Sequence, residues 1–406
     1  MKTLIAFEFK KLAGKKTTWI VLAASLAVFI LTNVMAVAGS DLFARAQGVR
    51  DVYGRYEGHA ITKAFLKQAQ EDFNAYMAAH EGRFSASTVT TPDGVVNTWY
   101  FAAGPGYYEG VRLAFEELSN TCTLEDKQEK ALEAQSRLDA GTEKDGRPLT
   151  GVMRGYYEYI VRNGAVPTVV HYSGLWSIYL INDNALPGTL ALLCMVTMLL
   201  GLFNGEVTAR LEPVVLTTRA RKQVFRAKLL VMASVAAGSS VLFYGLQFIL
   251  NAMIWGFKGA DVPIGSFYFG FPANGNGNIP VSAAFAWGQL AVLLSALCCG
   301  AALAWVSARW HKPLSATVAA ALVLGGTVGL DAAYRNYAHF IDGLLDTTQG
   351  VLDVLYNYPS NILFSGFSAF KATDTISLSV ALTVLPALTV LLVLLARRSF
   401  LCRRIV

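Results

Sequence analysis

The stretch LLVMASVAAGSSVLFYGLQFILNAMIW, Leu229–Trp255, holds no Lys, Arg, Asp, Glu or His, and it outruns the roughly 20 helical residues that cross a hydrocarbon core of about 30 Å. Every backbone amide in lipid must be satisfied internally, which a helix achieves and an open sheet does not. The stretch therefore predicts a transmembrane helix. Further windows of the same kind run Trp19–Ala38, Leu186–Phe203, Ser282–Ala308, Pro313–Leu330 and Ile376–Ala396. Composition agrees: 54% of the 406 residues are hydrophobic, 15% are charged, and mean hydropathy is +0.42, outside the balance of a soluble globular domain. The expected fold is an all-α polytopic membrane protein with six transmembrane helices. A signal peptide ending at Ala36-Val37-Ala38 is disfavoured, because Glu8 precedes the window and the apolar run is too long for a signal core.

Charge sets the expected orientation. The intervals on the N-terminal side collect Lys2, Lys10, Lys11, Lys15 and Lys16, then Arg210, Arg219, Arg221, Lys222, Arg226 and Lys228, then Arg309 and Lys312, then Arg397, Arg398, Arg403 and Arg404. Only Glu8, Glu206 and Glu212 oppose them, while the other side is net acidic. Bases in short loops are retained in the cytoplasm, so both termini are expected there. The formal charge of +6 then reflects topology and anionic membrane lipid, which adds about 1 kcal/mol per base near its surface, rather than nucleic acid. Trp19, Trp255, Trp287, Trp305 and Trp310 fall near the helix ends, the headgroup level that indole rings favour.

The expected organisation is an amphipathic cytoplasmic helix over 1–18, with Ile5, Phe9 and Leu12 at helical spacing, then a first crossing over 19–38. Residues 39–185 form an extracytoplasmic domain, too long for a connector and too charged for lipid. Within it, Phe65, Ala69, Phe73 and Tyr76 predict a helix stopping near Gly82. Thr123 with Asp126 predicts a capping box opening a helix through Leu138, with Asp126–Lys130 and Glu133–Arg137 pairs and Gly141 at its end. STVTTPDGVVNTWYF, 87–101, suggests a β-hairpin or a surface loop, and 151–176 a helix broken before Pro167. Crossings follow over 186–203, 229–255, 282–308, 313–330 and 376–396. They are joined by a cytoplasmic segment 204–228, an external loop 256–281, a cytoplasmic turn 309–312, external amphipathic helices within 331–375 and a cytoplasmic tail 397–406. The aromatic, Gly/Asn-rich run 267–280 reads as an interface anchor.

Several chemistries lack their motifs. There is no G-x-x-x-x-G-K-[ST] phosphate loop, and the five histidines are scattered with no H-E-x-x-H. No catalytic or metal-binding set is expected. The uncharged windows argue against an ion-driven carrier, and Cys122, the lone cysteine outside the membrane and cytoplasmic segments, implies no disulfide framework.

FEFKKLAGKKTTWIVL, 7–22, and FNGEVTARLEPVVLTTRARKQVFRAK, 203–228, together with the tail ARRSFLCRRIV, resemble the permease subunits of ABC-2-type (type V) bacterial ATP-binding-cassette exporters. Members typically close their second crossing with Glu and continue through a short cytoplasmic helix to a Leu/Thr run, a basic residue and a Lys opening the third crossing. Glu206, Val215–Thr218, Arg219 with Arg221, and Lys228 match; Ala220 stands where Gly is common. The resemblance implies that 207–216 docks on a cytoplasmic ATPase, with Glu206, Arg210, Glu212, Arg219, Arg221 and Lys228 as coupling residues. It also implies a second permease copy or paralogue, ATP and Mg bound by the ATPase with no cofactor on this chain, location in the bacterial plasma membrane, and export of a peptide or other amphipathic substrate. The bases are equally accounted for by retention in the cytoplasm, whereas Glu206 opposes that bias. Rival readings are a cation-extruding ABC permease and a membrane sensor or scaffold.

Overall fold

The computed structural model describes residues 2–90, 96–102, 106–119, 121–143, 146, 148–149, 151–165, 168–172, 174–176, 185–203, 221–264, 279–310, 312–326, 328–330, 333, 358–367 and 375–402. A short helix α1, Lys2–Ala13, leads into α2, Lys16–Ser40. The long interval that follows carries α3 (Leu42–Tyr56), α4 (Lys63–Ala79), strands β1 (Phe84–Thr90) and β2 (Val96–Ala102), α5 (Gly106–Ser119), α6 (Leu124–Ala140) and α7 (Gly151–Asn163). Then come α8 (Ala185–Leu199), α9 (Arg221–Trp255), α10 (Val281–Arg309), α11 (Pro313–Ala320), α12 (Pro359–Ser365) and α13 (Thr375–Leu401).

Among the described residues, five helices are long and apolar enough to cross a membrane: Lys16–Ser40, Ala185–Phe203, Arg221–Trp255, Val281–Arg309 and Ser377–Leu401. The chain is a multi-pass, mainly helical membrane protein. The remaining window, expected as a crossing over 313–330, is α-helical for eight residues and continues as a π-helix over Ala321–Gly325. Residues 326 and 328–330 are helical as well, and residue 327 lies outside the described residues.

Helix α10 is the hub. Its apolar window is 72% buried, against 11% for α2 and α13, and its packed face is built from small residues, among them Ala284, Gly288, Ala291, Ser295, Cys299 and Ala302. Small side chains let helix backbones approach closely where lipid offers no hydrophobic force between helices. The outward residues of α2, such as Ile20, Ile30, Leu31 and Met35, are exposed, as suits a helix whose solvent is acyl chain.

The expected amphipathic helices of 331–375 lie largely outside the described residues, as does most of the run 267–280. The described part is α12, and it sits inside the bundle rather than at its surface: Ile362 and Leu363 are fully buried. Its backbone carbonyls are met by side chains of the long helices. Tyr244 Oη donates to Leu363 O at 2.7 Å, and Ser295 Oγ donates to Pro359 O. A Cβ on Gly188 would lie 1.6 Å from Leu363 O, so glycine alone permits this contact with α8.

The interval between α2 and α8 has its own core, where Val52, Tyr53, Tyr56, Ile61, Phe73, Phe115, Val170 and Tyr172 pack together. Helices α3 and α5 cross through two glycines: a Cβ on Gly48 would lie 2.1 Å from Tyr107 O, and one on Gly110 2.0 Å from Arg45 O. Helix α6 opens with the Thr123–Asp126 capping box and closes at Gly141 with φ 67. Glu133 and Arg137 lie 3.8 Å apart, while Asp126 meets Lys63 at 3.4 Å. The hairpin forms with Phe84 opposite Ala102 and Thr90 opposite Val96. After α7 the chain is extended instead of helical: Ile61 N donates to Thr168 O and Val170 N to His59 O, the conformation favoured by the β-branched run Thr168-Val169-Val170.

Candidate functional site

At one end of the bundle the chain gathers α1, the ends of α8, α10 and α13, and the start of α9. Glu206, Arg210, Glu212 and Arg219 lie in segment 204–220, outside the described residues; Arg221 and Lys228 are described. Helix α9 begins at Arg221, so the basic run RKQVFRAK is helical and Lys228 lies inside the helix.

Lys228 is fully buried. Its Nζ donates to Glu8 Oε2 at 3.1 Å and to Leu202 O at 2.7 Å, and it lies 5.5 Å from the centroid of the Phe203 ring. Glu8 is 5% exposed. A buried charge is tolerable only when paired and hydrogen-bonded, and here an ion pair, a carbonyl and a ring face supply that environment. The pair ties α1 to α9 and to the last residues before segment 204–220.

Arg221 grips the other side. Its guanidinium donates to the Phe400 carbonyl and lies 5.5 Å from that ring's centroid. The rings of Phe203, Phe225 and Phe400 form a closed triad with centroids 5.8, 5.3 and 5.8 Å apart, within the range of favourable aromatic packing. Ser307 Oγ completes the collar, donating to Leu200 O at 2.8 Å and accepting from Phe203 N at 3.0 Å. Both ends of segment 204–220 are thus held against α1, α10 and α13.

Lys15 stands beside this collar between α1 and α2. Burial, helped by the ammonium groups of Lys11 and Lys228 and opposed by Glu8, holds its pKa below the ordinary lysine value.

Reading the sequence missed Glu8, Ser307 and the phenylalanine triad. Glu8 was recoverable: it is the sole carboxylate of KTLIAFEFKKLAGKK and shares a helical face with Ile5 and Leu12 by i, i+3, i+7 spacing. Ser307 and the triad come from distant segments and carry no local signal.

The far end of α9 is clamped as well. Arg50 Nη2 donates to Ile254 O at 3.2 Å, Tyr172 Oη to Trp255 O at 2.7 Å, Leu175 N to Gly256 O at 3.1 Å and Trp176 Nε1 to Phe257 O at 3.1 Å. A helix's last carbonyls have no intrahelical donor, and the domain between α2 and α8, with its return segment, satisfies them here. Among the described residues no group of three His, Cys, Asp or Glu is placed to hold a metal ion. No protein-family model, no curated protein and no solved structure matches the chain.

Proposed function

We propose that the chain is the transmembrane permease subunit of an ATP-driven exporter of the ABC-2 kind. In this reading it has six crossings, both termini face the cytoplasm of a bacterial cell, and the cargo is a peptide or other amphipathic molecule. Segment 204–220 is the contact for a separate ATPase, with Glu206, Arg210, Glu212 and Arg219 facing that partner and Arg221 and Lys228 anchoring the segment to the bundle. A second permease copy or paralogue completes the assembly. ATP and Mg belong to the ATPase.

The observation that supports this reading is the collar. A short segment can pass on a partner's movement only if its ends are fixed to elements that move as bodies; Phe203 is fixed to α10 and Arg221 to α13, and Lys228, on the same helix as Arg221, is paired with α1. From there α9 runs to the external domain, so a displacement at one end has a continuous path to the other.

The test is purification of the full chain in mild detergent from the cells that express it, followed by nucleotide-driven flux in inverted membrane vesicles. A co-purifying ATPase and flux that requires ATP are expected, and Glu206→Gln with Arg219→Ala should lower stimulated ATPase turnover without lowering membrane insertion. No associated ATPase together with nucleotide-independent behaviour would leave the sensor or scaffold reading in its place.

A further inference from the structure

Along α11 and the π-helix that continues it, Ala316, Ala320 and Leu324 are buried at four-residue spacing, and all three belong to the main core of the bundle. A uniform α-helix turns about 800° from Ala316 to Leu324, which would leave Leu324 about 80° off the buried face and bring Val323 within about 20° of it. The π-helix over Ala321–Gly325 has the wider turn that takes up this drift. Leu324 accordingly stays inward, while Leu322 is exposed and Val323 only partly buried. The π register thus decides which residue faces the core.

π-turns are rare inside α-helices, and a side chain inserted into the ladder of backbone bonds is one recognised cause of a departure from regular helix. Here that side chain is Tyr358, whose Oη donates to Val323 O at 3.0 Å. Tyr358 immediately precedes α12, the short helix seated in the bundle by Tyr244, Ser295 and the close contact at Gly188. The glycines that end the π stretch add no packing to hold it: a Cβ on Gly325 or Gly326 would meet nothing within 4 Å. Glycine also gives an α-helix weak support, so the stretch is poorly committed to either register by its own residues.

We propose that Tyr358 is a latch that makes the register of the helix after α11 depend on the seating of α12. With α12 seated, the phenol holds Ala321–Gly325 in the π register; when α12 leaves its seat, the phenol is withdrawn and the stretch relaxes to α-helix. Val323 then turns inward in place of Leu324, and the residues beyond Gly325 rotate by about one residue position, roughly 100°. Val328, now partly buried, takes the direction of Gly329, which is exposed. Two discrete packings of one element turn a small displacement at α12 into a rotation at the lipid-facing side of the bundle. Tyr358 acts here as a positioning residue. The latch rests on no assignment of cargo or partner and stands whether or not the chain serves an exporter.

The full chain in lipid nanodiscs tests it. Nitroxide labels are placed singly through Val323→Cys and Val328→Cys in a chain carrying Cys122→Ser and Cys402→Ser, the other three cysteines being buried. Spin relaxation by dissolved oxygen then reads how far each label faces lipid. Tyr358→Phe keeps the ring and removes the donor; it is expected to lower oxygen access at 323 and raise it at 328. Gly188→Ala, whose Cβ would lie 1.6 Å from Leu363 O, displaces α12 with Tyr358 intact and should produce the same two shifts. Unchanged access at either position in Tyr358→Phe, or shifts of the opposite sign, overturns the hold of the phenol on the register. Shifts in Tyr358→Phe without them in Gly188→Ala overturn the dependence on α12. Should either variant fail to fold, Ser295→Ala, which removes the donor to Pro359 O, takes its place with the same expected and overturning results.

Discussion

Lys228 and Glu8 form a pair whose value depends on both members being present. Their mutual attraction does little more than offset the desolvation of two charges, but deleting one leaves the other buried without its counterion, at about 3–5 kcal/mol. Lys228→Met alone and Glu8→Leu alone should therefore each destabilise the protein strongly. The Lys228→Met/Glu8→Leu double variant should recover much of the loss. A thermal-unfolding double-mutant cycle checks this, and additive losses would show that the charges do not depend on each other. In the domain between α2 and α8, Tyr56 Oη donates to Asp72 at 2.5 Å and Tyr107 Oη to Asp51 at 2.9 Å. Burial, reinforced by these carboxylates, pushes both phenols up to about 12. A raised pKa contributes stability that is whole below the unfolded value near 10 and is lost as pH climbs toward about 12. Asp72 is held below the usual carboxylate range, first by the Tyr56 hydroxyl, and Glu109 likewise, first by Arg112. Their contributions are present above the ordinary carboxylate values near 4 and fade as pH falls through the lowered ones. The domain should accordingly lose structure at both extremes. Tyr56→Phe should flatten the alkaline limb between pH 10 and about 12, as followed by tyrosinate absorbance and circular dichroism.

Among the elements, those with a repeating local signal were legible in the sequence. Leu229–Trp255 lies within α9, Phe65, Ala69 and Phe73 fall on α4, and Thr123, Asp126 and Gly141 bound α6. What the sequence left obscure depends on a partner distant in the chain. Nothing in PSNILFS, 359–365, announces that Tyr244 and Ser295 will bond its carbonyls and draw it into the bundle. Nothing in the spacing of Gly48 and Gly110 shows that they face each other's helices. Substitution tests these crossings: Gly48→Ala or Gly110→Ala must separate α3 from α5 and should cost about 1–3 kcal/mol each, measured as earlier proteolytic cleavage and a lower melting temperature. Gly54→Ala on the same helix, where a Cβ meets nothing within 4 Å, should be tolerated or slightly stabilising, since alanine favours helix over glycine.

For the whole molecule, hydropathy made the membrane class legible, but not what α9 joins. At one end Lys228 and Arg221 hold it to α1 and α13; at the other, Arg50, Tyr172 and Trp176 bond the carbonyls of residues 254, 255 and 257. These contacts make α9 a strut between the collar and the domain that lies between α2 and α8. Arg50→Ala with Tyr172→Phe should loosen only the far joint. Hydrogen exchange should rise at 254–258 while the core around Phe73 and Phe115 stays protected, and equal protection in the double variant would show that the strut is held by other means. The candidate site was legible only as a concentration of charge: the basic residues pointed to 204–228, but the collar that gives the segment fixed ends required Glu8, Ser307 and Phe400 from elsewhere in the chain.

The proposed role stands on segment 204–220 facing the cytoplasm, where an ATPase could reach it. Cysteine labelling measures that directly: Arg210→Cys, placed in a chain carrying Cys122→Ser and Cys402→Ser, is exposed to a membrane-impermeant maleimide in intact cells and in inverted vesicles. The account predicts labelling of position 210 in inverted vesicles and none in intact cells. Labelling from outside intact cells would contradict it.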